Sequence, residues 1–150
     1  MRRIIYILIF LTFTGCATIS VPNYIKDQNP YKKTYYSNFS DVLKATTEAL
    51  EEAGWKVVNT SDPSVFEGNK ASDDPQVKQL LLFTDIRQTS LFFATRYARI
   101  NAYVLSGGNQ TTELELRYIT VTSVLFKKFY SYKKDRFVEH LLKTIEKKLQ

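Results

Sequence analysis

Two stretches of the chain place apolar residues at the spacing of an α-helix. In the first, Ser40 is the predicted N-cap, Asp41 adds a carboxylate to the first turn, and Gly54 ends the helix. Its apolar side is formed by Val42, Leu43, Thr46, Ala49, Leu50 and Ala53. The second helix covers about residues 134–149, and its apolar side is formed by Phe137, Val138, Leu141, Leu142, Ile145 and Leu149.

Between these helices the apolar residues follow the period of two that is typical of β-strands. Residues 97–105 and 112–121 both alternate, and Ser106 to Gln110 form a five-residue hairpin loop between them. Further strands are predicted at about residues 31–36, 55–59, 65–68 and 78–86, the last with both faces covered. The pattern predicts an α+β fold, in which two amphipathic helices pack on one face of an antiparallel sheet as a two-layer sandwich.

The first sixteen residues have a different pattern. Arg2 and Arg3 precede an apolar run from Ile4 to Phe13, and Thr14-Gly15 lead to the only cysteine, Cys16. This order is typical of a secretory signal, and it resembles a bacterial lipoprotein signal peptide, although Phe13 stands where that family usually has Leu. The run of about ten residues is too short to span a bilayer as a helix. A core strand or helix at the N-terminus is the alternative interpretation.

The resemblance implies that residues 1–15 are removed and that Cys16 carries the lipid anchor. Ala17, rather than Asp, follows the cysteine, which in enteric bacteria implies sorting to the outer membrane. Residues 16–30 contain Pro22 and Pro30 and no sustained period, so they are interpreted as the lipidated cysteine and a flexible tether. Residues 31–150 then form a single α+β domain.

Charge supports the same location. Without residues 1–15, the chain has 19 basic and 15 acidic residues, since the removed part holds two basic residues and no acidic one. A small basic excess suits a protein beside anionic phospholipid head groups. Export makes nucleic acid an unexpected partner.

Candidate chemistry is sparse. His140 is the only histidine, and helical spacing turns it away from the apolar side, so we expect it to face solvent. Asp73-Asp74 is an isolated acidic pair in a loop, and no spacing of metal ligands is present. The sequence therefore predicts a protein that is not an enzyme and has no metal or cofactor. A hydrolase that uses His140 is the less favoured alternative.

One segment before the last helix combines aromatic residues with lysines. Its candidate contact residues for a membrane or a partner are Phe126, Lys127, Lys128, Phe129, Tyr130 and Tyr132. The interpretation that we favour from the sequence is the end of a strand and a connection whose aromatic side chains cap the core. For Leu91-Phe92-Phe93 and Tyr97, core positions are likewise the first prediction and an exposed patch the second.

The element order, with a helix ending in Glu-Glu-Ala-Gly-Trp-Lys-Val-Val, resembles small envelope lipoproteins, including the helix-grip domains of BamC-type lipoproteins. This resemblance covers about residues 31–150 and carries over no functional residue. Together these features predict a lipid-anchored, non-catalytic accessory or protein-binding module at the periplasmic face of the outer membrane. The alternative is a periplasmic binding module for lipid or a hydrophobic small molecule, held between the sheet and the last helix.

Overall fold

The computed structural model describes residues 19–68, 77–124, 127–133 and 135–150. Cys16, Asp73, Asp74 and Phe126 lie outside these residues. Seven strands and three helices are present in the described part of the chain. In chain order they are β1 (Tyr31–Tyr35), α1 (Phe39–Glu52), β2 (Val57–Ser61), α2 (Ser64–Glu67), β3 (Gln79–Thr84), β4 (Arg87–Leu91), β5 (Ala94–Ser106), β6 (Thr112–Val124), β7 (Lys127–Ser131) and α3 (Asp135–Leu149).

All strand pairs are antiparallel, and the long hairpin of β5 and β6 is the centre of the sheet. These two strands have 13 residues each and pair along their whole length, from Ala94 opposite Val124 to Ser106 opposite Thr112. The hairpin that the Gly-Gly loop predicts is therefore confirmed. Both strands extend further than the alternating pattern indicated.

Each long strand has two successive neighbours on its other side. β3 pairs with residues 101–105 of β5, and β4 pairs with residues 94–98. In the same way β1 pairs with residues 112–116 of β6, and β7 pairs with residues 120–124. We call the four-stranded part formed by β4, residues 94–98, residues 120–124 and β7 the distal end. The rest of the sheet, which includes β1, β2 and β3, is the proximal part.

The two predicted amphipathic helices, α1 and α3, pack on one face of the proximal sheet, which confirms the α+β two-layer prediction. Ile100, Ala102 and Val104 of β5 are buried on this face, beside their cross-strand partners on β6. The partners are Tyr118, Leu116 and Leu114. The alternating pattern therefore identified the inner face correctly.

Two local predictions were wrong. The N-cap of α1 is Asn38 rather than Ser40, and the Asn38 side chain accepts a hydrogen bond of 3.0 Å from the backbone N–H of Asp41. The segment predicted as a strand at 65–68 is the short helix α2, because Asp62 accepts from the N–H of Ser64 and Pro63 has a helical φ of −60°. Gly54 ends α1 as predicted, with a φ of 80° that glycine adopts without strain.

Within the described residues, no long helix packs on the outer face of the sheet, and the N-terminal segment covers this face at the border between the proximal part and the distal end. Val21 and Ile25 are buried against Ile119 and Val121, and Ile19 and Tyr97 pack at the border of this cluster. Residues 19–25 were expected to belong to a flexible tether. In the structure they are packed against the sheet, because Ile25 is fully buried and its backbone N–H donates a hydrogen bond to Asn101 Oδ1.

Candidate functional site

The candidate contact residues lie at the distal end. Lys127, Lys128, Phe129 and Tyr130 belong to β7, all of whose residues are exposed, and Tyr132 follows it. Phe129 and Tyr130 are 57% and 54% exposed, respectively. The prediction that these aromatic side chains cap the core is therefore wrong for β7, because this strand pairs with β6 beyond the part of the sheet that the helices cover.

The turn between β4 and β5 adds two further aromatic residues to the distal end. Leu91 pairs with Ala94, so Phe92 and Phe93 form a two-residue turn, and they are 91% and 77% exposed. Their rings contact each other edge to face with centroids 4.4 Å apart. The core prediction for Leu91, Phe92 and Phe93 is wrong. An apolar pair lacks the Asn-Gly type of signal that would have revealed a tight turn in the sequence.

The turns at this end lie side by side. Leu91, Ala94, Val124 and Lys127 form one row across the four distal strands, since each is the register partner of the next. The β4–β5 turn therefore lies beside the end of β6 and the start of β7. Exposed aromatic and lysine side chains are thus collected on one edge of the sheet.

The charge of this edge has a single sign. The distal end contains four basic residues and no acidic residue. If residues 1–15 are set aside, the other parts of the chain have 15 basic and 15 acidic residues. The small basic excess of the whole protein therefore arises from the distal end.

The N-terminal segment is hydrogen-bonded to the outer face by buried polar groups. Asn101 is fully buried; its Oδ1 accepts from the N–H of Ile25 at 2.8 Å, and its Nδ2 donates to the carbonyl of Asn23 at 3.2 Å. Arg99 Nη1 donates to the carbonyl of Pro22 at 3.0 Å and to Asn23 Oδ1 at 2.5 Å. These contacts fix residues 22–25 to β5.

A buried ion-pair cluster lies beside this segment. Arg117 is 2% exposed, and its guanidinium pairs with Glu67 at 2.6 Å and also with Glu115. It donates further to the hydroxyl of Tyr24 at 2.7 Å, and its centre lies over the Tyr24 ring. Lys32 contacts the second oxygen of Glu115 at 3.2 Å from the solvent side. The cluster therefore joins the N-terminal segment, α2 and β6.

The titration of the cluster follows from its contacts. Burial lowers the pKa of Arg117, but the carboxylates of Glu67 and Glu115 raise it by more, so that its pKa lies above its ordinary value. Burial also raises the pKa of Tyr24, and the carboxylate of Glu67 raises it further. Arg117 therefore stays charged over the physiological pH range. The alternation of β6 predicted polar side chains on this face but gave no sign that they are buried.

A second surface feature lies at the edge strand β2. Within the described residues β2 pairs with β3 alone, and Val58 is 55% exposed. Val65 and Phe66 of α2 are also exposed. A recess of about 260 Å³ opens here, and its lining includes Val58, Phe66, Phe83 and Arg99. This edge belongs to the proximal part and carries a small apolar recess.

The remaining candidate features are the histidine, possible metal ligands and membrane-spanning helices. His140 is exposed on α3, as predicted. Within the described ranges, no group of three or more His, Cys, Asp or Glu side chains could hold a metal ion. In the same ranges, no helix combines the length and the apolar character that crossing a membrane would need.

Comparisons with known proteins give no further assignment. No protein-family model matches this chain, and no curated protein matches its sequence. Function is therefore inferred from the residues and contacts of the chain itself.

Proposed function

We propose that this protein is a lipid-anchored bacterial envelope lipoprotein that acts as a non-catalytic accessory module and binds another envelope protein. The observation that carries the proposal is the position of Cys16. It ends a segment with the order of a lipoprotein signal and stands three residues before Ile19, which already packs on the sheet. An acylated Cys16 would hold the domain directly against a membrane, and the proximal part of the domain would lie in the periplasm.

The edge of β2 is the proposed docking place for the partner. An open edge strand offers unpaired backbone groups to an extended segment of another chain, and pockets beside it select side chains. The exposed Val58 and the recess beside Phe66 supply both features. This edge is in the proximal part, so a partner could reach it while the anchor is in the membrane.

The alternative of a lipid-binding groove under α3 has less support. The space between the sheet and the two long helices is occupied by buried side chains of the core, among them Leu50, Leu116 and Leu141. The recesses next to the helices are about 230–260 Å³ and lie at the surface. A hydrophobic ligand would have to displace core side chains to enter this layer.

Photo-crosslinking in intact cells tests the proposal. A photoreactive residue replaces Val58 in the full-length protein, and the matched control carries it at Tyr36, which is 92% exposed after β1. We expect one dominant protein adduct from position 58, a much weaker one from position 36, and loss of the adduct when Cys16→Ser removes the anchor.

Two results would contradict the proposal. A Cys16 that mass spectrometry finds unacylated in the mature protein would remove the lipoprotein assignment. A correctly acylated protein that gives no reproducible protein adduct from position 58 would remove the partner site and leave the anchor in place.

A further inference from the structure

The N-terminal segment runs toward the distal end. Ile25 is hydrogen-bonded to Asn101, whereas Pro22 and Asn23 contact Arg99, two residues closer to the start of β5. Val21 then joins the cluster of Ile119 and Val121, which are the cross-strand partners of Arg99 and Tyr97. The chain, followed backward from Ile25 to Ile19, therefore follows β5 toward Ala94.

The remaining length to the anchor is short. Cys16 stands three positions before Ile19, and an extended chain over three positions spans at most about 10 Å. Tyr97, at the border of the same cluster as Ile19, is three residues from Ala94, which at the rise of a strand is also about 10 Å. The acyl chains of Cys16 would therefore enter a membrane near the level of the distal turns.

We propose that the distal end rests in the head-group layer of an anionic phospholipid bilayer, with Phe92 and Phe93 inserted at the acyl boundary and Lys127 and Lys128 in contact with lipid phosphates. This inference rests on the proposed function, because it requires the anchor on Cys16. It adds a second attachment and a fixed orientation, in which the β2 edge points away from the bilayer.

Three independent observations favour a bilayer as the occupant of this surface. Phe92 and Phe93 are exposed at the distal turn, where their rings contact each other. The charge at the distal end is entirely basic, and each lysine near an anionic membrane surface is worth roughly fivefold in affinity. The described chain runs from Ile25 to Ile19 toward this end, so an anchor on Cys16 would bring the bilayer to it.

Spin labelling of the acylated full-length protein tests the orientation. Cys16 is the only natural cysteine and is blocked by its lipid under the proposed function, so an introduced cysteine is the only free thiol. Phe92→Cys carries the label at the distal turn. Tyr36→Cys is the matched control, because Tyr36 is as exposed as Phe92 but follows β1 at the opposite end of β6. Both proteins are reconstituted into vesicles of phosphatidylethanolamine and phosphatidylglycerol.

We expect the label at position 92 to lose most of its collisions with a water-soluble nickel relaxant and to gain collisions with oxygen, whereas the label at position 36 stays in water. Lys127→Glu with Lys128→Glu should return the label at position 92 to water. The same charge change at the exposed Lys143 and Lys147 of α3 should leave it in place.

Each other result has a distinct meaning. If both labels collide with the nickel complex equally while Cys16 is acylated, the proposed contact between the distal end and the bilayer is wrong. The proposed lipid anchor on Cys16 is then still supported. If mass spectrometry finds Cys16 without lipid, the proposed function itself fails. If a photoreactive residue at position 92 gives a protein adduct in cells in place of a lipid adduct, the surface binds a protein and the bilayer contact is overturned.

Discussion

The two halves of the β5–β6 hairpin are continuous in sequence and in hydrogen bonding, but they have different surroundings. In the proximal half, α1 and α3 cover the inner face, and the N-terminal segment with the Arg117 cluster covers the outer face. In the distal half, β4 and β7 extend the sheet sideways, and their side chains are exposed. The same alternating strands therefore build a core at one end and an exposed surface at the other.

This difference shows that strand alternation does not by itself report burial. Arg117 and Glu115 look like solvent-facing residues of an amphipathic strand, yet they are almost fully buried. Phe92 and Phe93 look like core residues, yet they are exposed. In each case the deciding factor is the element that packs over that part of the sheet.

The largest effect is expected from Arg117→Met. The change leaves the buried carboxylate of Glu67 without its cation and leaves Glu115 with Lys32 alone, which should lower the free energy of unfolding by about 3–5 kcal/mol. Urea unfolding of the lipid-free form, which begins at residue 17, measures it. Arg96→Met at the exposed distal end is the matched control and should cost less than about 0.5 kcal/mol.

A rescue variant sharpens this test. Glu67→Gln and Glu115→Gln together with Arg117→Met remove all three charges, so the triple variant should recover part of the lost stability. Equal destabilisation by Arg117→Met and Arg96→Met would contradict the buried cluster.

Ile25→Ala tests whether the N-terminal segment is part of the fold. Ile25 is fully buried, so its truncation should lower the free energy of unfolding by about 2–4 kcal/mol. The neighbouring Lys26 is exposed, and Lys26→Ala should be nearly neutral. Hydrogen exchange should also become faster at the amide of Ile25, which is bonded to Asn101. An unchanged stability in Ile25→Ala would show that residues 19–25 are a free tether.

Because of Tyr103, the stability of the proximal half should depend on pH in the alkaline range. Burial, with a contribution from the carboxylates of Glu67, Glu115 and Glu113, raises its pKa from 10.0 to about 12. The neutral phenol is therefore favoured in the folded state. The stabilisation is complete below pH 10 and is lost as the pH rises through about 12, and it amounts to at most about 3 kcal/mol.

Urea unfolding between pH 8 and pH 12 measures this effect. In Tyr103→Phe the fall in stability with rising pH should be less steep than in the natural protein, whatever the loss of the hydrogen bond to Gln79 costs at pH 8. Tyr36→Phe, at an exposed position, is the control and should keep the natural slope. Identical slopes in both variants would contradict the raised pKa.

The smallest effect on stability is expected at the distal turn. Phe92→Ser combined with Phe93→Ser removes two aromatic rings that contact each other outside the core, so the free energy of unfolding should change by no more than about 0.5 kcal/mol. The same pair of changes should expose a spin label on Ser90→Cys to water in vesicles. A destabilisation above about 2 kcal/mol would place these rings in the core instead.

The inner layer of the fold could be predicted from local patterns in the sequence. The helical spacing in α1 and α3 and the alternation of β5 and β6 placed Val42, Leu141, Ala102 and Leu116 on faces that meet in the core, because one periodic face of each element must be removed from water. The Gly-Gly loop likewise determined the central hairpin. These features are local, so a single sequence contains them.

The other features of the fold could not be predicted from local patterns and are known only from the tertiary structure. The N-cap at Asn38 and the helix at Ser64–Glu67 depend on hydrogen bonds that compete closely with the predicted alternatives. The burial of Arg117 and the packing of residues 19–25 depend on partners more than 70 residues apart in the chain. The exposure of the distal end depends on where the helices stop, and no local pattern encodes that boundary. Contacts between distant residues are fixed only when the whole chain has folded.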